Sequence, residues 1–236
     1  MSMEVLGVSG SPVKNSNTDT LVKAILKSTD MEIKFVKLSD IRVGPCIACR
    51  KCAYTNECVL NDDFKWLSQD VLDAKAIVIG SPVMYNAASA YTKAFMERQY
   101  SLRHVKLLTQ GKIGASVVVG ELRADAVTQW FTQFMMSAGM EIAGSMSAFG
   151  DPGCFNCGPG ETCSYSIWNS MAKREGTDNF YMKAYAGYLK ALPDNDPLRN
   201  PSYKILKHRF VEDDPEVMAQ AKAIGREIRR RLLAKK

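Results

Sequence analysis

Histidine is nearly absent from this chain: His104 and His208 are the two among 236 residues, and neither lies in a loop rich in other reactive side chains. A histidine-dependent nucleophile needs an imidazole beside it, so a Ser-His-Asp hydrolase has no support. Long apolar runs are missing as well. No stretch reaches the ~18 uninterrupted apolar residues of a membrane span, and the start, MSMEVLGVSG, lacks a basic region followed by a long apolar one. Neither export nor membrane insertion is expected, which leaves a cytoplasmic protein. No recognisable nucleic-acid-binding module accompanies the net charge of +6. Much of that excess sits in Arg226, Arg229, Arg230, Arg231, Lys235 and Lys236, where it complements the dipole of a closing helix. No nucleic-acid partner is expected.

What the chain does have is cysteine, placed in two groups. Cys46, Cys49, Cys52 and Cys58 form the run C-x2-C-x2-C-x5-C, and Cys154, Cys157 and Cys163 form a second cluster. A chain of this length with 46% hydrophobic residues buries a sizeable core without staples, so a disulfide framework is not the natural explanation. Short two-residue gaps let successive thiolates turn inward around one inorganic centre, and the longer last gap lets the chain return to close it. Zinc also takes four thiolates, but its usual pattern separates two C-x2-C pairs by a longer stretch. Val59, not proline, follows Cys58, unlike the ferredoxin run whose last cysteine serves a different cluster, so Cys58 is expected to complete the same centre. The second cluster suits a site completed by Asp151, water or a residue of another subunit. Its occupant is a second Fe–S cluster or zinc, and the plain alternative is a set of reduced structural thiols.

Hydrophobic patterning alternates strand and helix. MEVLGV at 3–8, residues 32–36, AIVIGSP at 76–82, KIGASVVVG at 112–120 and residues 140–146 read as five strands. Helical spacing follows in TDTLVKAILKS, from Asn61 or Asp62 to Leu72, over 88–103, and over 124–138. The expected fold class is α/β, a doubly wound five-stranded parallel sheet with right-handed crossovers. Residues 1–147, including a cysteine loop at 44–62, form the expected core. Residues 148–200, with Tyr181, Tyr185 and Tyr188, read as an insertion or subdomain. Residues 201–236 return as a closing helix with Asp214 and Pro215 at its start.

In such a sheet, ligands sit beyond the carboxyl ends of the strands. The loop after strand one, SGSPVKNSNTDT, crowds Ser9, Ser11, Ser16, Asn17 and Thr18 at a helix N-terminus, a place for a phosphate, with Gly10 allowing close approach. It is neither G-x-x-x-x-G-K-[ST] nor G-x-G-x-x-G, and a capped helix on a polar loop is the plain alternative. After strand three, Pro82, Val83, Met84 and Tyr85 can wall a planar cofactor, with Asn86 to bond ring heteroatoms, or they can simply pack. Gly120 and Glu121, after strand four, can close the other side.

Together SGSP-x-x-x-SNT, GSPVMYN and the compact cysteine motif resemble the iron-sulfur flavoprotein branch of the NADPH-dependent FMN reductase family, over about residues 1–147. The resemblance implies a flavodoxin-like strand order 2-1-3-4-5 and FMN as cofactor. It implies that FMN phosphate binds near Ser9, Ser11, Ser16, Asn17 and Thr18, with the ring near Pro82 to Asn86. It also implies that Cys46, Cys49, Cys52 and Cys58 hold a [4Fe-4S] cluster in a homodimer or homotetramer. GELRADA departs from the glycine-rich third loop of many relatives, and the Cys154 cluster has no placed counterpart.

The expected function is an FMN and [4Fe-4S] oxidoreductase that couples one-electron and two-electron donors and acceptors, with ferredoxin or NAD(P)H as donor and a small-molecule acceptor. The alternatives are an NAD(P)H-dependent reductase acting on quinones with structural cysteines, and a non-enzymatic redox sensor or zinc-stabilised interaction protein.

Overall fold

The computed structural model describes residues 3–120, 124–150, 190 and 210–235. The chain divides into two units, Met1–Gly150 with Phe210–Lys236, and Asp151–Arg209. Cys154, Cys157, Cys163, Asp151, Glu121 and the tyrosines at 181, 185 and 188 lie outside the described residues.

The strands of the first unit are β1 (Val5–Ser9), β2 (Ile33–Lys37), β3 (Ala76–Met84), the two-residue β4 (Ala87–Ala88), β5 (Ile113–Val119) and β6 (Glu141–Ala148). Its helices are α1 (Asn17–Lys27), α2 (Phe64–Asp73), α3 (Ala90–Arg98), α4 (Ala124–Ser137) and α5 (Pro215–Ala234). The five long strands are all parallel, in the order β2-β1-β3-β5-β6. With β4 set aside, this is the expected 2-1-3-4-5 order.

A parallel sheet needs cover on both faces, and the strand sequences supply apolar residues to each. In β1 and β3, Leu6, Ile77 and Ile79 face Phe64, Leu67, Phe95 and Phe131 of α2, α3 and α4. Val5, Ala76 and Val78 face Leu21, Val22 and Ile25 of α1 and Ile224, Ile228 and Leu232 of α5. The charged closing helix therefore contributes one apolar stripe to the core. Asp214 caps it, its Oδ1 accepting from the N–H groups of Glu216 and Val217 at 3.0 and 3.1 Å, with Pro215 in the first turn.

Three local expectations need correction. α2 begins at Phe64, and its N-cap position is Asp63 rather than Asn61 or Asp62; Asp62 Oδ1 still accepts from the Phe64 N–H at 3.2 Å, while the same carboxylate pairs with Arg98. The helix expected over 88–103 is α3 followed by a separate 3-10 turn at Gln99–Leu102. β3 runs on to Met84 and folds back through Tyr85 and Asn86 onto β4. Both turn residues have positive φ, 48° and 62°, the geometry of a two-residue hairpin turn whose twist matches the strands. Among the described residues no helix is long and apolar enough to cross a membrane.

α5 crosses α1 closely at Gly225, where a Cβ would collide with the Ile25 carbonyl and lie 2.7 Å from Ser28 Cβ. Alanine has the better helix propensity by about 1 kcal/mol, but forced overpacking costs about 1–3 kcal/mol. Gly225→Ala should therefore lower the urea midpoint. A raised midpoint would show that the two helices separate freely.

Candidate functional site

The loop after β1 is wired mostly to itself. Ser9, fully buried, donates to Asp19 Oδ1 at 2.5 Å, and Ser11 Oγ accepts from the Val13 N–H at 3.3 Å. Ser16 caps α1: its Oγ accepts from the Asp19 N–H at 3.1 Å, while Asp19 Oδ2 accepts from the Ser16 N–H at 3.2 Å. Asn17 Oδ1 accepts from the Val211 N–H at 3.1 Å, and Thr18 is buried. The side chains thus shape the loop, and what α1 offers a ligand is the backbone N–H set of its first turn with its dipole.

A carboxylate in that first turn opposes an anion unless something neutralises it. Lys37, at the end of β2, does so, its Nζ lying 2.5 Å from Asp19 Oδ2 and donating to the Val13 carbonyl at 2.8 Å. Packing alone requires glycine at position 10, because a Cβ there would collide with Thr92 of α3. Its N–H donates to the Gly80 carbonyl at 2.9 Å, and its carbonyl accepts from Ser89 Oγ at 2.6 Å. Ser89 is also the N-cap of α3. These bonds lock the β1 and β3 loops together at the carboxyl edge of the sheet.

In the β3 loop, Pro82 and Val83 are half-buried, while Met84, Tyr85 and Asn86 are exposed, Tyr85 completely. An aromatic residue held at positive φ is costly and clusters at functional sites. The Gly120 N–H continues the edge of the sheet by donating to the Ala148 carbonyl at 3.0 Å.

All four cysteines of the 44–62 loop line one cavity of about 380 Å³, together with Leu60, Arg98, Tyr100 and His104. They are free thiols. Ala48 and Arg50, flanking Cys49, both have positive φ, which lets the short C-x2-C spacings curl back on themselves. Asn56 fastens the far side, accepting from the Val105 N–H and donating to the Lys106 carbonyl, each at 2.7 Å. Burial pushes the Cys52 thiol above its ordinary 9.0, and the nearby Cys58, Cys46 and Cys49 push it the same way. Among the described residues, no three His, Cys, Asp or Glu side chains converge tightly enough to hold a single metal ion.

Both ends of this loop are held by Arg98. Its Nη1 donates to the Gly44 carbonyl at 3.1 Å and to Asp62 Oδ2 at 2.5 Å, and its Nη2 donates to Asp62 Oδ1 at 2.9 Å. Asp62 Oδ2 also accepts from the Gly44 N–H at 3.0 Å. The guanidinium is wholly buried, 4.7 Å above the Phe64 ring.

The model of the NADPH-dependent FMN reductase family matches residues 3–151. An iron-sulfur flavoprotein of Methanocaldococcus jannaschii is 32% identical over 148 residues, covering 60% of this chain and 76% of that protein. One from Methanosarcina thermophila is 31% identical over 154 residues, covering 63% and 81%. The chain belongs to the iron-sulfur flavoprotein branch of this family. The fold agrees with the crystal structure of RosB with bound 8-demethyl-8-formylriboflavin-5'-phosphate, at TM-score 0.54 and 12% identity over 99% of this chain and 86% of that one.

The chain is accordingly a flavin-dependent oxidoreductase, and FMN is its family's cofactor. The match ends before Cys154. Four thiols on one cavity, with a buried cation beside them, fit a thiolate-ligated centre in donor type and in charge. Arg98, Lys37, Asp19 and His104 were not foreseen from the sequence. Lys37 carries a weak signal, a basic residue at the carboxyl end of the strand next to the loop. Arg98 and His104 carry none, since each sits in an ordinary run of polar residues.

Burial works to raise the Asp62 pKa, but its hydrogen bonds to Arg98 and Gly44 outweigh burial and hold it below its ordinary 3.8. A depressed folded pKa stabilises fully above the unfolded value and is lost as pH falls through the folded one. Asp62→Asn should cost about 3 kcal/mol or more at neutral pH by stranding the buried Arg98. That deficit should shrink as pH falls from about 3.8, where the unfolded carboxyl begins to take up its proton, through the lower pKa of the folded state. Urea unfolding across this range checks it, and a pH-independent deficit would contradict it.

Proposed function

We propose that this chain binds FMN with its phosphate at the N-terminus of α1, near Ser9, Ser11, Ser16, Asn17 and Thr18. The ring rests against Pro82 to Asn86, with Gly120 and Glu121 at its other side. Cys46, Cys49, Cys52 and Cys58 hold a [4Fe-4S] cluster, and the pair exchanges electrons between NAD(P)H or ferredoxin and a small-molecule acceptor. The supporting observation is the placement of all four motif cysteines on one cavity in a chain whose core is that of an FMN reductase.

When bound, FMN supplies two-electron or one-electron chemistry and the cluster one-electron chemistry. The chain's own groups bind and orient. First-turn N–H groups of α1 bind the phosphate, and Lys37 cancels the charge of Asp19 beneath it. The Gly10, Gly80 and Ser89 bonds fix the distance between the phosphate loop and the ring loop. Leu60 and Tyr100 add apolar surface to the lining of the cysteine cavity. Ile47 and Tyr54, 62% and 90% exposed on the cysteine loop, offer apolar surface for a homodimer or homotetramer. For Cys154, Cys157 and Cys163 we retain a second Fe–S cluster or zinc as the proposal.

Iron, acid-labile sulfide, zinc and FMN analysis of anaerobically purified protein tests this reading. About four irons and one FMN per chain are expected, about eight irons if the second cluster is also filled. FMN without iron would leave a simple NAD(P)H-dependent reductase, and zinc without flavin would overturn both.

The phosphate site has its own test. Lys37→Met uncovers the Asp19 charge and should weaken FMN binding by roughly 10-fold or more. Riboflavin, which lacks the phosphate, should bind equally to both proteins in a flavin-fluorescence titration. Equal loss for both flavins would place Lys37 in the fold rather than the phosphate site.

A further inference from the structure

A fully buried arginine is costly unless its donors and charge are met. Arg98 is only partly met. Asp62 and the Gly44 carbonyl satisfy Nη1 and Nη2, yet Nε is buried with no partner. Burial opposes the charge of the guanidinium, but the Asp62 hydrogen bond and the proximity of Cys58 and Asp62 more than offset it, so the proton is held more tightly than usual.

The orientation of the ion pair is informative. Arg98 lines the cysteine cavity and Asp62 does not; Asp62 lines a second cavity of about 400 Å³ with Gly44, Leu60 and Tyr91. The pair is neutral as a whole, yet its cationic member is the one that lines the thiol cavity, close to Cys58. The bonds also join Gly44 to Asp62, the two positions that bracket all four cysteines. A loop whose ends are already closed loses less entropy when its thiolates converge on a centre.

We infer that Arg98 is a positioning residue for the cysteine loop, and that its guanidinium compensates the negative charge of a thiolate-ligated centre in that cavity, raising its reduction potential. The loop-closing role stands on the bonds alone. The charge role rests on the proposed [4Fe-4S] reading. A cation beside the centre favours its reduced, more negative state, so removing it moves the potential downward.

The test uses the full chain in wild-type, Arg98→Lys and Arg98→Met forms. Hydrogen exchange over residues 44–62 is measured first on chelator-treated protein, where the result does not depend on any metal. Exchange should be at least ~10-fold faster in Arg98→Met and intermediate in Arg98→Lys, which keeps the charge but cannot span Gly44 and both Asp62 oxygens. Equal exchange in all three overturns the clamp.

Iron and sulfide content and the midpoint potential are then read after anaerobic reconstitution with ferrous iron and sulfide. Arg98→Lys should keep a potential near the wild-type one, and Arg98→Met should either bind less iron or hold it at a lower potential. Equal iron and equal potential in Arg98→Met overturn the charge role. Should Arg98→Met fail to fold, Arg98→Lys still decides the clamp by its exchange, and Arg98→Gln decides the charge role by its potential. A wild-type chain that takes up no iron overturns the cluster reading and the charge role together, leaving the clamp to be judged by the exchange data.

Discussion

One buried ion pair, Arg98 with Asp62, organises the part of this molecule that distinguishes it from a plain flavodoxin-like sheet. It ties the last residue of α3 to both ends of the 44–62 loop. That loop has little else to hold it. It contains no strand, one short 3-10 turn at Lys51–Tyr54 and several residues at positive φ, so its own backbone supplies few of the bonds that a long excursion needs. Asn56 adds a second anchor at 105–106. Between these anchors the cysteines face one cavity rather than four directions.

The proposed flavin side is held in a different way. Its polar side chains bond to one another and to the local backbone, Ser9 with Asp19, Ser16 with the α1 backbone, and Lys37 with Asp19. The ligand is thereby left with oriented backbone donors, which need no rearrangement when an anion arrives. The α3 cap residue Ser89 joins this loop to β3, and α3 also carries Arg98 at its far end. A single nine-residue helix thus touches the phosphate loop, the ring loop and the cysteine loop. That continuity relates the two proposed cofactor positions to each other.

The sheet is legible in the sequence because its strands are buried on both faces and read as apolar runs, so AIVIG and ASVVV leave little choice. Asp214 and Pro215 announce α5 in the same way. The cysteine motif is legible through its spacing, and the cap of α1 through the hydroxyl of Ser16. What escapes is tertiary pairing. Asp62 reads as a helix cap because it stands before α2, and it does accept from the Phe64 N–H; its second role, the pairing with Arg98, 36 residues later, leaves no local signal. The packing role of Gly10 is hidden as well, since only the placement of Thr92 of α3 shows that the missing side chain makes room for a helix. His104 sits far from the cysteines in sequence yet lines their cavity. The Tyr85–Asn86 turn is hidden because neither residue is the glycine that a positive φ favours.

Everything proposed for the cysteine loop depends on Cys46, Cys49, Cys52 and Cys58 acting as one ligand set for an iron-sulfur centre. An electron paramagnetic resonance spectrum of the anaerobically reduced full chain, recorded beside Cys58→Ala, reads this directly. The signal of a reduced [4Fe-4S] centre is expected in the wild type, with its loss or conversion in the variant. An identical cluster signal in the variant, or none in a wild type that carries its full flavin, would contradict a shared ligand set.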